Sequence, residues 1–217
     1  MATRRLFSTL MLFTVLLLPV AVFSGGQAAF AASTPAISQS EAESFVRTMS
    51  EQALQTLTRS DLSDVERARY FREVFNTTAD LESIGRFVLG RYWRKATDAE
   101  RTEFLKLFED ITVYTWSKRF KEYFGVGIAV AGIRPSPEEE VVVESTVTPH
   151  QGPPLLVLWK LKRSEKGIRV TDLVVEGISM AVTYRSEYGS VLQHSGGEVA
   201  GLLAALRAKA DELKSHD

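Results

Sequence analysis

Residues 172–188 read Asp172, Leu173, Val174, Val175, Glu176, Gly177, Ile178, Ser179, Met180, Ala181, Val182, Thr183, Tyr184, Arg185, Ser186, Glu187, Tyr188. An apolar strand reaches a Glu-Gly break, continues through a small serine and passes into a helical pattern at Tyr184-Arg185. Asp172 and Glu176 are four apart, so in an extended strand they share a face and could form an acid/base pair. Glu176 beside Gly177 reads more simply as a hydrogen-bond acceptor at a bulge or a partner of Arg185. Tyr184 and Arg185 are expected to fix the strand to its helix, with Arg185 bonding Glu176 or helix-end carbonyls. No plausible catalytic set stands in the run, which suits a protein that holds something rather than one that converts it.

Upstream of this junction the apolar period is 2. Ile128–Arg134, Glu140–Thr148, Leu155–Arg163 and Ile168–Val175 are predicted as strands, separated by Pro135–Glu138, Pro149–Pro154 and Ser164–Gly167. Such short connections imply an antiparallel meander. Before Gly125 the period is 3.6. A first helix is predicted from Ser40 to about Arg59, and Ser63 with Glu66 opens a second through a capping-box pattern. Asp80 caps a short third helix that stops at Gly90. Thr97 with Glu100 opens a long fourth carrying Phe104, Leu107, Phe108, Ile111 and Tyr114. After the sheet, one helix runs from near Ala181 to about Gln193, Ser195-Gly196-Gly197 breaks it, and Val199 to Leu213 marks the last. The expected architecture is α+β, a twisted antiparallel four-stranded sheet with about six helices on it.

Several strands look apolar on both faces: Leu155, Leu156, Val157, Leu158 and Trp159 do not alternate, nor do Val141, Val142 and Val143. Such a strand is either central and covered on both sides by protein, or lines a cavity. Sequence pattern does not separate a filled core from a hollow one.

The chain has 217 residues, no cysteine and three histidines. Arg4 and Arg5 precede an uncharged stretch greasiest at Leu10–Val22, and Ala29-Phe30-Ala31 supplies a small-residue cleavage pattern, with Ala32 as a neighbouring choice. Residues 1–31 are therefore expected to be a signal peptide, 32–39 a flexible leader and 40–214 one domain. The alternative is a retained anchor, but Pro19, Gly25 and Gly26 interrupt the apolar stretch. Thr3–Phe7 also fits a twin-arginine signal; the general secretory route is favoured. Cleavage takes two arginines from the 26 basic residues and none of the 27 acidic ones. A slightly acidic product has no electrostatic footprint for nucleic acid. It has no disulfide and no acylation cysteine, and is expected to be soluble in the periplasm.

Enzyme constellations are missing. His150, His194 and His216 stand alone, with no metal-ligand spacing. No dinucleotide or phosphate-loop glycine pattern occurs, and no Gly-x-Ser-x-Gly elbow. Glu138, Glu139 and Glu140 form an acidic cluster at a turn, either solvated or a docking spot for a basic partner. No metal, cofactor or catalytic residue is expected.

The 172–188 run resembles the corresponding segment of the MlaC family, also called the toluene-tolerance family. A second segment, Val88, Leu89, Gly90, Arg91, Tyr92, Trp93, Arg94, Lys95, Ala96, Thr97, is similar to the family's stretch between its third and fourth helices, and Glu100, Arg101, Phe104 and Phe108 continue the likeness. Pro153-Pro154 before an apolar strand also matches, so the resemblance runs from about residue 40 to 210. It departs at Ile168, where the family usually has Trp after the turn glycine, and at Thr183, where Asn is frequent. Both departures read as packing variations.

The resemblance implies a soluble periplasmic phospholipid carrier, with acyl chains in an apolar pocket and the head group near solvent. Each buried methylene is worth about 0.8 kcal/mol, so two chains of ~16 carbons supply on the order of 20 kcal/mol, whereas a buried head group carries a desolvation cost. The family is thought to exchange lipid with an outer-membrane lipoprotein–porin complex and an inner-membrane ABC transporter bearing an MCE-domain protein, maintaining outer-membrane lipid asymmetry. A monomer is expected. The lining positions implied are Ile111, Tyr114, Val143, Val147, Leu156, Leu158, Leu173, Val175, Ile178 and Met180, each of which ordinary core would explain equally. Tyr92, Trp93 and Arg94 are assigned to a rim, where amphipathic rings and a cation suit a lipid phosphate; the alternative is a structural cap at the helix junction. Two other classes stay open: an adaptor with a filled core, and an enzyme on a similar cone-shaped fold with Asp172 inside the pocket.

Overall fold

The computed structural model describes residues 36–119, 127–135, 140–148 and 152–215. The expected leader and its cleavage site, Glu138, Glu139, His150 and His216 lie outside them.

Most of the helices start where a short polar side chain satisfies an orphan backbone donor. Ser38 opens α1 (Gln39–Leu57) with a capping box: its Oγ accepts from the Glu41 N–H at 3.3 Å, and the Glu41 carboxylate accepts from the Ser38 N–H at 2.9 Å. The Ser38 hydroxyl, which donates to the same carboxylate at 2.7 Å, then Arg163 from the sheet at 2.7 Å and the Ser38 N–H hold the Glu41 carboxyl down at about 2. The Ser63–Glu66 box opens α2 (Asp64–Thr78), Asp80 caps α3 (Leu81–Leu89), and Thr97–Glu100 opens α4 (Asp98–Arg119). Gly90 ends α3 at φ +54, a conformation that side chains resist. The chain then makes a 3-10 turn, Gly90–Arg94, before α4.

The sheet is an antiparallel meander in the order β1 (Gly127–Pro135), β2 (Val141–Thr148), β3 (Leu155–Ser164), β4 (Gly167–Val175), β5 (Ile178–Ser179). It has five strands, not the expected four. The Glu-Gly break is more than a bend: Glu176 at φ 49 and Gly177 at φ 80 both take the left-handed values of a two-residue hairpin turn. The chain folds back so that Val175 faces Ile178 and Val174 faces Ser179. A two-residue strand carries too little alternation to register in a periodicity reading. Met180–His194 then forms α5 and Val199–Ser215 forms α6.

Register separates the two faces of the sheet. Val143, Ser145, Val157, Leu161 and Val170 are buried and share one face, the inner one. Asp172 is the only buried strand residue on the other face among those described. β3 is therefore central but not covered on both sides: Leu156, on the outer face, is 37% exposed.

Buried apolar residues gather in two clusters. One joins α3, the 3-10 turn, α4, α5 and α6 through Leu89, Trp93, Phe104, Phe108, Leu192 and Leu202. The other joins α1 to the inner face through Val46, Met49, Val143, Leu161 and Val170. Between them the junction of α2 and α3 touches the open edge of β4: Ala79 bridges Val170 in parallel, and the Asp80 N–H donates to the Val170 carbonyl at 2.9 Å.

One buried side chain runs against the usual preferences. Arg67 on α2 is 1% exposed, and its guanidinium donates to three carbonyls of the α1–α2 connection: Leu57, Arg59 at 3.0 Å and Leu62 at 3.1 Å. It closes the end of α1, whose last carbonyls have no helical partner.

Candidate functional site

The junction between the last strands and α5 is held by Asp172. Its carboxylate accepts from Ser179 Oγ at 2.7 Å and from the Ala181 N–H at 3.0 Å, and meets Lys160 Nζ at 3.0 Å. Ser179 Oγ in turn accepts from the Val182 N–H at 3.1 Å, so a buried carboxylate and a serine together cap α5. With its oxygens engaged in this cap, Asp172 has a structural occupation. Glu176 forms no pair with Arg185. Its carboxylate accepts from the Leu156 N–H, and its own N–H donates to the Leu156 carbonyl at 3.0 Å, carrying the β3–β4 ladder on to the first residue of the turn.

Tyr184 and Arg185 lock α5 to the other helices rather than to the strand. Tyr184 meets Phe108 edge-on at 5.2 Å, and its hydroxyl accepts from Trp116 Nε1 at 3.4 Å. Tyr188 packs edge-on against Phe104 and Phe108. Burial pushes both phenols above their ordinary range, and the Glu187 charge adds to it. Arg185 Nη1 donates to the Phe87 carbonyl of α3 at 3.0 Å, the expected helix-end contact.

The expected lining residues divide among several environments. Ile111 lies in the helical core, Val143 in the α1–sheet core with Leu173 packed against it. Tyr114 sits beside the cations of α2 and α6, with Arg72 at 5.9 Å and Lys214 at 5.8 Å from its ring. Leu156 and Leu158 point to the outer face, because their partners are Thr146 and Glu144. Val147, Val175 and Ile178 share the inner face, and Met180 begins α5. Of the expected rim, Tyr92 and Trp93 are buried in the helical core while Arg94 is exposed.

Cross-strand pairing shows what the inner face brings together. One row reads Ile133, Val143, Trp159, Leu173, with α1 over it. The next reads Val130, Ser145, Val157, Val175, Ile178, and the one beyond it Ile128, Val147, Leu155. In these last rows only Val130 packs on either core cluster among the described contacts. Exposure climbs from 0% at Ser145 through 7% at Val157 to 59% at Ile178. Ser145, next to the row that α1 covers, accepts from Trp159 Nε1 at 2.8 Å and donates to the Val157 carbonyl at 3.3 Å. An apolar strip that starts buried and ends in solvent can take an apolar chain lengthwise and leave its polar end in water.

Ile128, Leu155 and Val157 are not among the positions expected from the sequence. On β3 the expectation falls on 156 and 158 where the inner face holds 155 and 157, a one-residue phase slip that exchanges every side chain between faces. Pairing with β2 contains the missing signal, since Val143 and Ser145 fix the phase.

Two grooves lie elsewhere on the surface. One of about 690 Å³ runs between α3 with its 3-10 turn and α5, past Val88, Gly90, Arg91, Arg185, Gly189 and Gln193. The other, about 720 Å³, lies between α1, the end of α2 and Ile168. Among the described residues no group of three His, Asp or Glu is placed to hold a metal ion.

Comparison with known proteins agrees with the fold. The family model described as MlaC protein matches residues 47–208. A solved structure of the phospholipid-binding protein from Ralstonia solanacearum, in complex with a phospholipid, aligns with a TM-score of 0.73 at 23% sequence identity, over 80% of this chain and 98% of that one.

Proposed function

The chain belongs to the MlaC family, and on that basis we propose that it is a phospholipid carrier of the periplasm. It would take lipid between the outer and inner membranes and so maintain outer-membrane lipid asymmetry. The observation that carries this reading is the inner-face strip Ile128, Val147, Leu155, Val157, Val175 and Ile178, apolar, graded in exposure and outside both core clusters. The Ralstonia protein is in complex with a phospholipid, which supports the same ligand class.

Acyl chains lie along the strip with Met180 at its α5 end, and the head group stays beyond Ile178 in solvent. Burying one apolar chain here is worth about 0.8 kcal/mol per methylene, enough to hold a molecule that water does not carry. Tails set the affinity, so the carrier tolerates several head groups. Exchange takes place with an outer-membrane lipoprotein–porin complex and with an inner-membrane ABC transporter bearing an MCE-domain protein. Docking that opens the strip supplies the free energy for release. No helix among the described residues is long and apolar enough to cross a membrane, in keeping with a carrier freed from its leader at 1–31.

Purification of the mature protein, organic extraction and mass spectrometry test the proposal. Phospholipid near one molecule per chain is expected, falling several-fold when Val157→Trp fills the strip. Absence of lipid, with stability unchanged on adding it, would favour a filled-core adaptor and overturn the reading; a chemically altered lipid would point to an enzyme.

A further inference from the structure

We propose that the groove between α3 and α5 is the docking site for an acidic segment of a partner protein. Two arginines, Arg91 and Arg185, line it, and among the described residues no carboxylate does. Elsewhere Arg59, Arg72, Arg134, Arg163 and Arg207 each sit on a carboxylate, in a chain whose net charge is −1. Here the cations are held by rings and a carbonyl. The Arg185 guanidinium stacks 4.9 Å from the Phe87 ring while donating to the Phe87 carbonyl. That of Arg91 lies 4.9 Å from the Tyr92 ring and donates to its hydroxyl at 2.9 Å, with Lys95 Nζ 5.8 Å from the same ring. Cations fixed in this way keep their charge available, and ordering them on binding costs little.

The floor suits a polypeptide. Gly90, Ser186, Gly189 and Ser190 are small, and a Cβ added at Gly189 would meet nothing within 4 Å. A partner backbone can therefore come close, with Ser186, Ser190 and Gln193 offering hydrogen bonds. Phe87, 43% exposed, and Val182, 53% exposed, add apolar contact. Arginines held by rings beside exposed apolar groups are the usual anchors of an interface. A flat bilayer surface does not reach the floor of a concave groove, which decides for a protein segment over anionic lipid. The inference does not depend on the cargo being phospholipid.

A photo-crosslinking amino acid at position 189, in the full-length protein expressed in its own host cells, tests it. A control at Val65, 63% exposed on α2, marks incidental neighbours. Position 189 is expected to crosslink to a single protein absent from the control, through a peptide rich in Asp and Glu. With that protein purified, Arg91→Glu is expected to weaken binding at least tenfold and Arg91→Lys to retain most of it, both variants melting like the parent. No crosslink at 189, a crosslink to a second copy or to lipid, a peptide without acidic residues, or an unchanged affinity for Arg91→Glu would each overturn the proposal.

Discussion

Asp172→Asn removes one negative charge from the junction where strand becomes helix, and its cost follows from the three partners of the carboxylate. The amide keeps an oxygen for the Ala181 N–H, at 3.0 Å in the parent. Its NH2 then faces Ser179 Oγ and Lys160 Nζ, which lie 2.7 and 3.0 Å from the other carboxylate oxygen. Ser179 can turn its hydroxyl round, but the ammonium can only donate. A hydrogen bond to a charged group is worth about 1.5–3 kcal/mol net. The Lys160 side chain is 36% exposed, so water screens part of its loss. Together these give about 2–3 kcal/mol of destabilisation. Urea unfolding of the mature protein measures it as a lower midpoint at unchanged slope. Lys160→Met in the Asp172→Asn background should restore about 1 kcal/mol, because it removes the cation left without its partner. A loss under about 0.5 kcal/mol for Asp172→Asn, or a double variant weaker by the full sum of the singles, would refute the account of the junction as a charge-held cap.

Other expectations concern the surrounding scaffold. Arg67→Met keeps most of the stem but strips the Leu57, Arg59 and Leu62 carbonyls of their donor; a loss of about 3–5 kcal/mol in urea unfolding is expected. Burial raises the Asp110 carboxyl, but its bonds to Lys214 at 3.0 Å and Arg72 at 2.7 Å outweigh that and hold it below the usual range. Its contribution is thus complete above the unfolded value near pH 4 and is lost as pH falls through the lower folded one; Asp110→Asn should show a shallower loss of thermal stability between about pH 4 and 2 than the parent. Gly90→Ala must adopt φ +54 and place a Cβ 2.9 Å from the Arg185 guanidinium. It should lower stability by more than about 1 kcal/mol, and leave Phe87 more exposed to proteolysis.

Most element boundaries were legible because they rest on local chemistry. The Ser63–Glu66 and Thr97–Glu100 pairs and Asp80 announce their helices, and Gly90 and Gly196-Gly197 end theirs, from within a few residues. The stripe Ala42, Val46, Met49 places the first helix from Ser40, one residue inside its observed start at Gln39, and the Ser38–Glu41 box explains that start. What stays illegible depends on contacts far apart in the chain. The phase of β3 is set by its pairing with β2, since Leu155 to Trp159 is apolar at every position. Arg67 sits at a site that looks like any helix-surface arginine until three carbonyls from the preceding connection surround it. That Val143 joins the cluster under α1 while Val147 on the same face does not is decided by where α1 lies over the sheet, which no strand pattern records.

The touch of the α2–α3 junction on β4 bears on how the protein behaves when concentrated. Beyond its two residues of pairing with β5, β4 would offer a bare edge, and bare edges recruit strands from other molecules. The Ala79 bridge occupies that edge, and the Asp80 N–H takes up the Val170 carbonyl that an incoming strand would need. At the opposite side of the sheet, β1 is kinked by a bulge between Val130 and Gly132 and ends in Pro135, which has no amide hydrogen to offer. Both margins of the sheet thus resist strand addition, so the exposed end of the apolar strip can face solvent without drawing the chains into fibres.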